Sequence, residues 1–363
     1  MDRRLRVLVV SNMYPTVESP AFGSFVRGQV EALRATGEID VDVFAFDARR
    51  RPWRYVSTGL RLAGLPPGVD IIHAHYGLSG FACLAAPRGL PLVLTVHGRD
   101  CHHPAVRQLT RLAARRANAT VAVSRELAAQ CPFPVADVIP PGVDLDLFRP
   151  LPRAEARRRL GLDAARRLVL FPADPSRPEK RHELAKALVD TLNRKRASDG
   201  PRPAQTAQAA AVATTTATAG ATATVGAAND PAAAAAVELL TLSGRPREEV
   251  PLWINAADAV VVTSEREGYG LACVEALACN VAVLSTPVGI ARELLPGLDG
   301  ALCARFDLDA WTAHLQRLLA DADPRVAGRP RAETQGLPFV ARRLIALYRR
   351  LLGGAGAGET PPA

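Results

Sequence analysis

Two glutamates, Glu267 and Glu275, bracket the segment Glu267-Gly-Tyr-Gly-Leu-Ala-Cys-Val-Glu275, which follows an apolar run at 259–263. The order reads as strand, short glycine-punctuated loop, then helix, with one carboxylate in the loop and the other inside the helix. Gly268 and Gly270 let the backbone turn tightly and come close to a ligand. A helix opening near Leu271 leaves unpaired N–H groups and the positive end of its dipole facing the loop. That is a ready site for a phosphate or diphosphate. Glu275, about one turn into the helix, is placed to accept hydrogen bonds from sugar or ribose hydroxyls. Two carboxylates beside an anion site suit a nucleotide-sugar, which carries both hydroxyls and phosphates, better than they suit plain phosphate. The competing reading is an ordinary solvated helix N-terminus.

The elements that must position these residues alternate along the chain. In the first half, 7–10, 41–45, 70–74, 92–96, 120–123 and 138–139 read as short strands, and 24–35, 106–117 and 125–130 as helices. Uninterrupted Val/Leu/Ile runs separated by helices predict a parallel sheet covered on both faces. The Pro-rich segment 140–152 reads as a linker. The pattern then restarts with strands at 168–171, 237–242, 259–263 and 281–284 and helices at 180–195, 246–255, 271–278 and 308–320. The expected architecture is α/β, with two Rossmann-like doubly wound domains facing a central cleft. The first covers 1–150, the second 151–336, and a last apolar and basic helix begins at 337, followed by a tail expected to be disordered. The Ala/Thr-rich stretch 197–236 holds no large apolar residue beyond single valines. It cannot bury enough surface to offset its ordering entropy, so a disordered insertion is expected there.

Composition narrows the class. The 363 residues suffice for two ordinary domains, and 48% hydrophobic with 22% charged residues describes a globular chain. No apolar run approaches the ~20 residues that span a membrane, and the N-terminus lacks a signal-peptide cleavage pattern, so a cytoplasmic protein is expected. The net charge is +9, but only three of the 45 basic residues are Lys and aromatics are 5%. Stacking platforms for single-stranded nucleic acid need more aromatics, so no nucleic acid partner is expected. A basic face leaves room for peripheral contact with an anionic membrane at its inner face. The six cysteines are scattered without a C-x-x-C pair, which reads as reduced thiols. Cys101-His102-His103 lacks the distant partners that metal binding needs.

The two-Glu segment, followed by Glu275-Ala-Leu-Ala-Cys-Asn-Val-Ala-Val-Leu-Ser-Thr-Pro-Val-Gly289 and Glu293-Leu, resembles the retaining nucleotide-sugar glycosyltransferases of family 4. Asn280 stands where that family usually has Gly, and Asn tolerates the left-handed turn better than other residues. Asp174-Pro-Ser-Arg177-Pro-Glu-Lys180-Arg181 resembles the family's loop whose Arg and Lys neutralise the donor diphosphate. Lys180 fits the P-E-K position. The usual Arg directly after the strand is absent, and the resemblance leaves Arg177 to take its role from a displaced position. The loop holding Gly23 resembles the family's first loop, which approaches the phosphate or acceptor. Thr95-Val-His97-Gly-Arg-Asp100 resembles the strand end that faces the donor sugar, with His97 expected to titrate near neutral pH. His73 and His75, in Asp70-Ile-Ile-His-Ala-His, match a strand-end pattern that is structural or lines the acceptor.

The resemblance covers most of 5–315 and implies GT-B architecture, with the terminal helix returning to the first domain. It implies a UDP-sugar or GDP-mannose donor and a hydroxyl acceptor, often lipid-linked in bacterial surface-polysaccharide assembly. Glu267, His97 and Lys180 would carry the chemistry. Arg177, Gly268, Gly270, Leu271, Glu275 and Gly23 would hold the donor, with no cofactor and no metal ion. A sugar-nucleotide epimerase of the same architecture and a non-catalytic sugar-nucleotide-binding protein are the alternatives. The first strand is followed by no Gly-x-Gly-x-x-Gly, which argues against a nicotinamide dehydrogenase.

Overall fold

Strands form where Val, Leu, Ile and Ala run unbroken, and both faces of each run are covered by helices. A computed structural model of the protein describes residues 3–17, 19, 21–49, 51–198 and 236–353. The first sheet contains β1 (Leu5–Ser11), β2 (Ile39–Ala45), β3 (Ile71–His75), β4 (Leu92–Val96), β5 (Ala119–Ala122) and β6 (Asp137–Val138), in the order β2-β1-β3-β4-β5-β6. The second contains β7 (Arg167–Phe171), β8 (Val237–Thr241), β9 (Ala259–Val262), β10 (Ala282–Ser285) and β11 (Leu302–Cys303), in the order β11-β10-β9-β7-β8. All ladders are parallel. Two Rossmann-like α/β units result. In each, the chain steps outward once and then crosses back, so the strand order reverses beside β1 and beside β7. Ligands of open α/β sheets bind beyond the carboxyl ends of the strands at such reversals.

Sequence and structure differ at the short elements. β11 has two residues and too little pattern to register, and helices Arg54–Ala63, Gly77–Ala82 and Arg153–Leu160 begin without a side-chain cap. Most of the Ala/Thr-rich stretch, 199–235, and the tail from 354 lie outside the described residues.

The linker is not a loose tether. Val143 and Phe148 are fully buried, and Val143 bridges in parallel to Gly336, exchanging backbone hydrogen bonds of 3.0 Å with Gln335 and Leu337. The outgoing and returning chains therefore run side by side. Helix Leu337–Gly353 then packs Val340, Leu344, Ile345 and Tyr348 with Val7 and Val9 of β1 and Val26 and Val30 of helix Ser24–Ala35.

A buried charge cluster fixes the linker's far end to the second sheet. Asp258, fully buried before β9, accepts from the Leu168 amide at 2.7 Å and from Arg157 Nη2 at 2.9 Å, and it pairs with Arg153 and Arg167. Arg157, also buried, donates to the carbonyls of Ala256, Ala164 and Arg166 at 2.7–2.9 Å. Removing one partner of a buried pair strands the other charge. Asp258→Ala should therefore cost about 3–5 kcal/mol, read as a lower denaturant midpoint at unchanged slope. A loss below about 1 kcal/mol, the worth of an exposed pair, would mean that the cluster is not what holds this junction.

Candidate active site

The loops after β7 and β9 are stitched together by polar residues at the strand ends. Thr263 Oγ1 lies 2.9 Å from the carbonyl oxygens of both Lys180 and Arg181, and the Glu265 amide donates to the Glu179 carbonyl at 2.9 Å. The 3-10 turn Pro178–Lys180 is thereby held against the end of β9, with Arg181 in the left-handed region at φ 52°. Lys180 Nζ then reaches Glu267 Oε1 at 2.6 Å, and Ser264 Oγ donates to the same oxygen at 2.7 Å. The Lys180 and Glu267 side chains are 13% and 16% exposed, so this charge-assisted bond is largely shielded from water.

Gly268 is required by the opposite domain. A Cβ there would lie 1.9 Å from the His97 carbonyl oxygen, and one on Gly98 would lie 3.1 Å from Gly268 Cα. Ser124 Oγ donates to the Gly268 carbonyl at 2.7 Å, and Glu126 Oε2 accepts from the Gly289 amide at 2.6 Å. Two backbones thus meet across the cleft with hydrogen bonds on either side. Gly270, at φ 95°, opens helix Leu271–Ala278. Tyr269 turns inward and donates to Gln335 Oε1 at 2.9 Å, which ties the loop to the returning chain. Gly23 opens helix Ser24–Ala35 at φ 73°, where a Cβ would strike the Met13 backbone at 2.3 Å.

His97 stands at the carboxyl end of β4, on the first-domain side of this contact. Its amide and that of Gly98 donate to the Asp100 carboxylate at 2.6–3.0 Å, and the Gly77 amide does so at 3.3 Å. Burial pushes the Asp100 carboxyl up to about 6, against the pull of these N–H donors. The His97 ring lies 5.0 Å from the Phe25 ring, and its Nε2 is 3.3 Å from His75 Nδ1. Behind it, His73 is held by Tyr348 at 2.6 Å through Nδ1 and by Thr95 at 2.7 Å through Nε2. The expectation that His97 titrates near neutral pH is corrected here. Burial, and then the neighbouring His75, hold it well below the usual histidine range, and burial takes His75 to about 3. All three rings are therefore neutral at pH 7.

Other residues are not gathered in. Arg177, 56% exposed, is bonded through Nε at 2.9 Å and Nη2 at 2.5 Å to Glu179 Oε1 of its own loop, so it does not join Lys180 at Glu267. Glu275 is buried inside its helix, where Arg247 Nη2 pairs with Oε1 at 2.5 Å; the Arg247 guanidinium in turn lies 4.5 Å over the Phe148 ring. That pairing could not be read locally, because Arg247 lies 28 residues upstream, in the loop after β8. Ser264, Ser124 and Glu126 were equally unmarked. Ser264 closes the Val-Val-Thr-Ser strand end, the one local signal among them. Cys101 turns inward onto Cys131, Sγ to Sγ 3.0 Å, while His102 and His103 stay exposed, so this trio does not converge. Asn280, at φ 58°, takes the left-handed turn and accepts from the Arg329 amide at 2.9 Å.

Residues 3–147 match Glycosyltransferase Family 4, and 233–335 match Glycosyl transferases group 1. The D-inositol 3-phosphate glycosyltransferase of Thermobispora bispora is 33% identical over 330 residues, covering 79% of this chain and 72% of that protein. Sucrose-phosphate synthase from Thermosynechococcus elongatus has the same fold, with a TM-score of 0.70 at 19% identity over 97% of this chain and 100% of its own. Anabaena HepE, solved in complex with UDP-glucose, gives a TM-score of 0.60 at 17% identity over 95% and 99%. Two matched halves and a relative of this identity over this length place the protein in glycosyltransferase family 4, on a GT-B fold.

Proposed function

We propose that the protein moves a hexosyl unit from a nucleoside-diphosphate sugar to a hydroxyl acceptor with retention of anomeric configuration. The observation that carries this reading is the Lys180–Glu267–Ser264 cluster, set one loop before the helix starting at Leu271 and facing His97. In this reading the bond from the anomeric carbon to the diphosphate oxygen breaks, and positive charge builds on the sugar. The acceptor oxygen bonds the same face, and its proton passes to the departing phosphate oxygen. Lys180 exchanges Glu267 for the diphosphate, aided by the helix N-terminus; preorganised donors at developing charge are each worth roughly 3–4 kcal/mol. Glu267, freed from Lys180, holds sugar hydroxyls and offsets the positive charge. Neutral His97 orients the sugar by hydrogen bonding, and Glu275 with Arg247 shapes the ribose end. HepE's complex with UDP-glucose supports a UDP-sugar donor, with GDP-mannose as the alternative.

For the acceptor, the relatives' names favour D-inositol 3-phosphate. A lipid-linked saccharide is the second reading, favoured by exposed Trp53, Val56 and Leu60 beside Arg54 and Arg61 on the first domain. Incubation with a panel of donors and both acceptors, with the product's anomeric configuration read by NMR, tests the whole. An inverted product, or epimerised free donor without acceptor, overturns it.

Glu267→Gln keeps shape but removes charge, so turnover should fall roughly tenfold or more at nearly unchanged nucleotide affinity. Lys180→Ala should weaken nucleotide-diphosphate binding and slow transfer together. Near-wild-type kinetics in both variants would remove these residues from the reaction. Transfer should also persist in excess EDTA, since Lys180 and the helix start are assigned the leaving-group charge. Loss on chelation, restored by Mg²⁺, would show that an ion does this work.

Asp100 generates a pH prediction. Protonation puts an O–H against N–H donors and loosens the His97-Gly98 turn, so transfer should fall as pH drops through about 6. Stability moves the other way. The folded pKa is above the unfolded one, so the protonated form is the one favoured by folding. This group's contribution is fully present below the unfolded pKa of 3.8 and is lost as pH rises through about 6. The difference is about 3 kcal/mol. Comparing wild type with Asp100→Asn isolates the effect. An acid limb that survives unchanged in the variant assigns it to another group.

A further inference from the structure

Arginine is concentrated in one stretch of the first domain. Residues 48–125 hold twelve arginines and no lysine against two aspartates, a surplus of ten, whereas the whole chain carries nine. Asp70 is paired with Arg3 and accepts from the Arg6 amide at 2.8 Å, and Asp100 is buried, so within this stretch neither aspartate offsets the surplus; Asp47, one residue before it, pairs with Arg49. Helices Arg54–Ala63 and Pro104–Arg116 flank Gly77–Ala82 on one face of the first sheet, with Leu62 and Ala113 in the same buried cluster as Leu8 and Val10. The other face is taken by helices Ser24–Ala35 and Leu337–Gly353.

On the helices of this layer several large apolar side chains point outward. Trp53, Val56 and Leu60 are 61%, 64% and 72% exposed, and Leu112 on the neighbouring helix is 44% exposed. Spacings of three and four put the first three on one stripe of the helix, opposite buried Thr58 and Leu62. Arg51, Arg54 and Arg61 accompany the stripe, and no carboxylate occurs between 48 and 69.

We propose that this layer is a docking face for a membrane bearing anionic lipids, with Trp53, Val56 and Leu60 entering the headgroup boundary and the arginines meeting lipid phosphates. An apolar stripe bordered by arginine is the composition that interfacial helices use. A phosphate backbone gives Val56 and Leu60 nothing to contact. A second copy of the chain would bring the same positive surplus face to face, which repels. Tyr55 Oη accepts from Asn12 Nδ2 at 2.9 Å just beyond β1, so the start of the helix stands at the rim of the cleft. Docking there sets the cleft mouth against the bilayer surface. The proposal stands on charge and exposure and is independent of the donor assignment.

The test uses the full chain and vesicles of phosphatidylcholine, alone or with about a third phosphatidylglycerol. Trp253 and Trp311 are buried, so Trp53 is the tryptophan whose emission can report contact. Anionic vesicles should sediment the protein and blue-shift its emission. Neutral vesicles, or about 0.5 M NaCl, should weaken binding roughly tenfold or more. A Trp53→Ser/Val56→Ser/Leu60→Ser variant should keep the melting temperature and lose vesicle binding by a similar factor. No preference for anionic vesicles overturns the proposal. So does equal binding by the triple variant, a duplex oligonucleotide bound more tightly than vesicles, or a dimer that the triple substitution abolishes.

Discussion

At His97-Gly98 and Gly268 two backbones pass one another with no side chain between them, and the geometry of the cleft follows from that contact. Any Cβ at 268 would have to push the His97 carbonyl away, which would move the first domain off the second. Ser124 and Glu126 flank the contact with hydrogen bonds to Gly268 and Gly289. Because Glu267 is the next residue along the chain, the spacing that sets the domains also sets how far Lys180 and Glu267 stand from His97. Groups held by rigid elements need no ordering when a ligand arrives, and here the rigid elements are two strand ends and a helix start.

The electrostatics divide along the same line. On the second-domain side every buried charge named has a partner: Lys180 with Glu267, Glu275 with Arg247, Asp258 with Arg157. On the first-domain side His73, His75 and His97 are stripped of charge by burial, and the Asp100 carboxylate leans on backbone N–H groups alone. One wall of the cleft can therefore exchange a salt bridge for an anionic ligand, while the other offers neutral hydrogen bonds. A polar sugar attached to a diphosphate needs both.

Much of this was legible in the sequence. Helices Ser24–Ala35, Arg125–Gln130 and Leu271–Ala278 fall on the stretches that patterning picked, each with a glycine or a serine at its start. The family resemblance of their two loops assigns Lys180 and Glu267 to one site, and the structure joins them at 2.6 Å. What escaped was set by tertiary neighbours. Nothing local says that Arg177 bonds back to Glu179, that Arg247 finds Glu275, or that His97 loses its charge among His75, Phe25 and buried backbone. Nor does anything local say that Gly268 meets the His97 backbone, because the sequence contains no signal for the domain on the other side.

The returning helix has a consequence for how the protein is made. Tyr348 is fully buried against His73, and Val340, Leu344 and Ile345 complete the cluster that covers one face of β1. During synthesis the first sheet leaves the ribosome long before these residues exist. Until they arrive, helix Ser24–Ala35 alone covers that face of Val7, Val9 and Ile71, and His73 lacks its phenol partner. The second sheet, whose described helices are encoded between its own strands or directly beside them, needs no such wait. The domain translated first is thus the one finished last. Between the two moments its exposed β surface is open to misassembly of the kind that burdens multidomain chains.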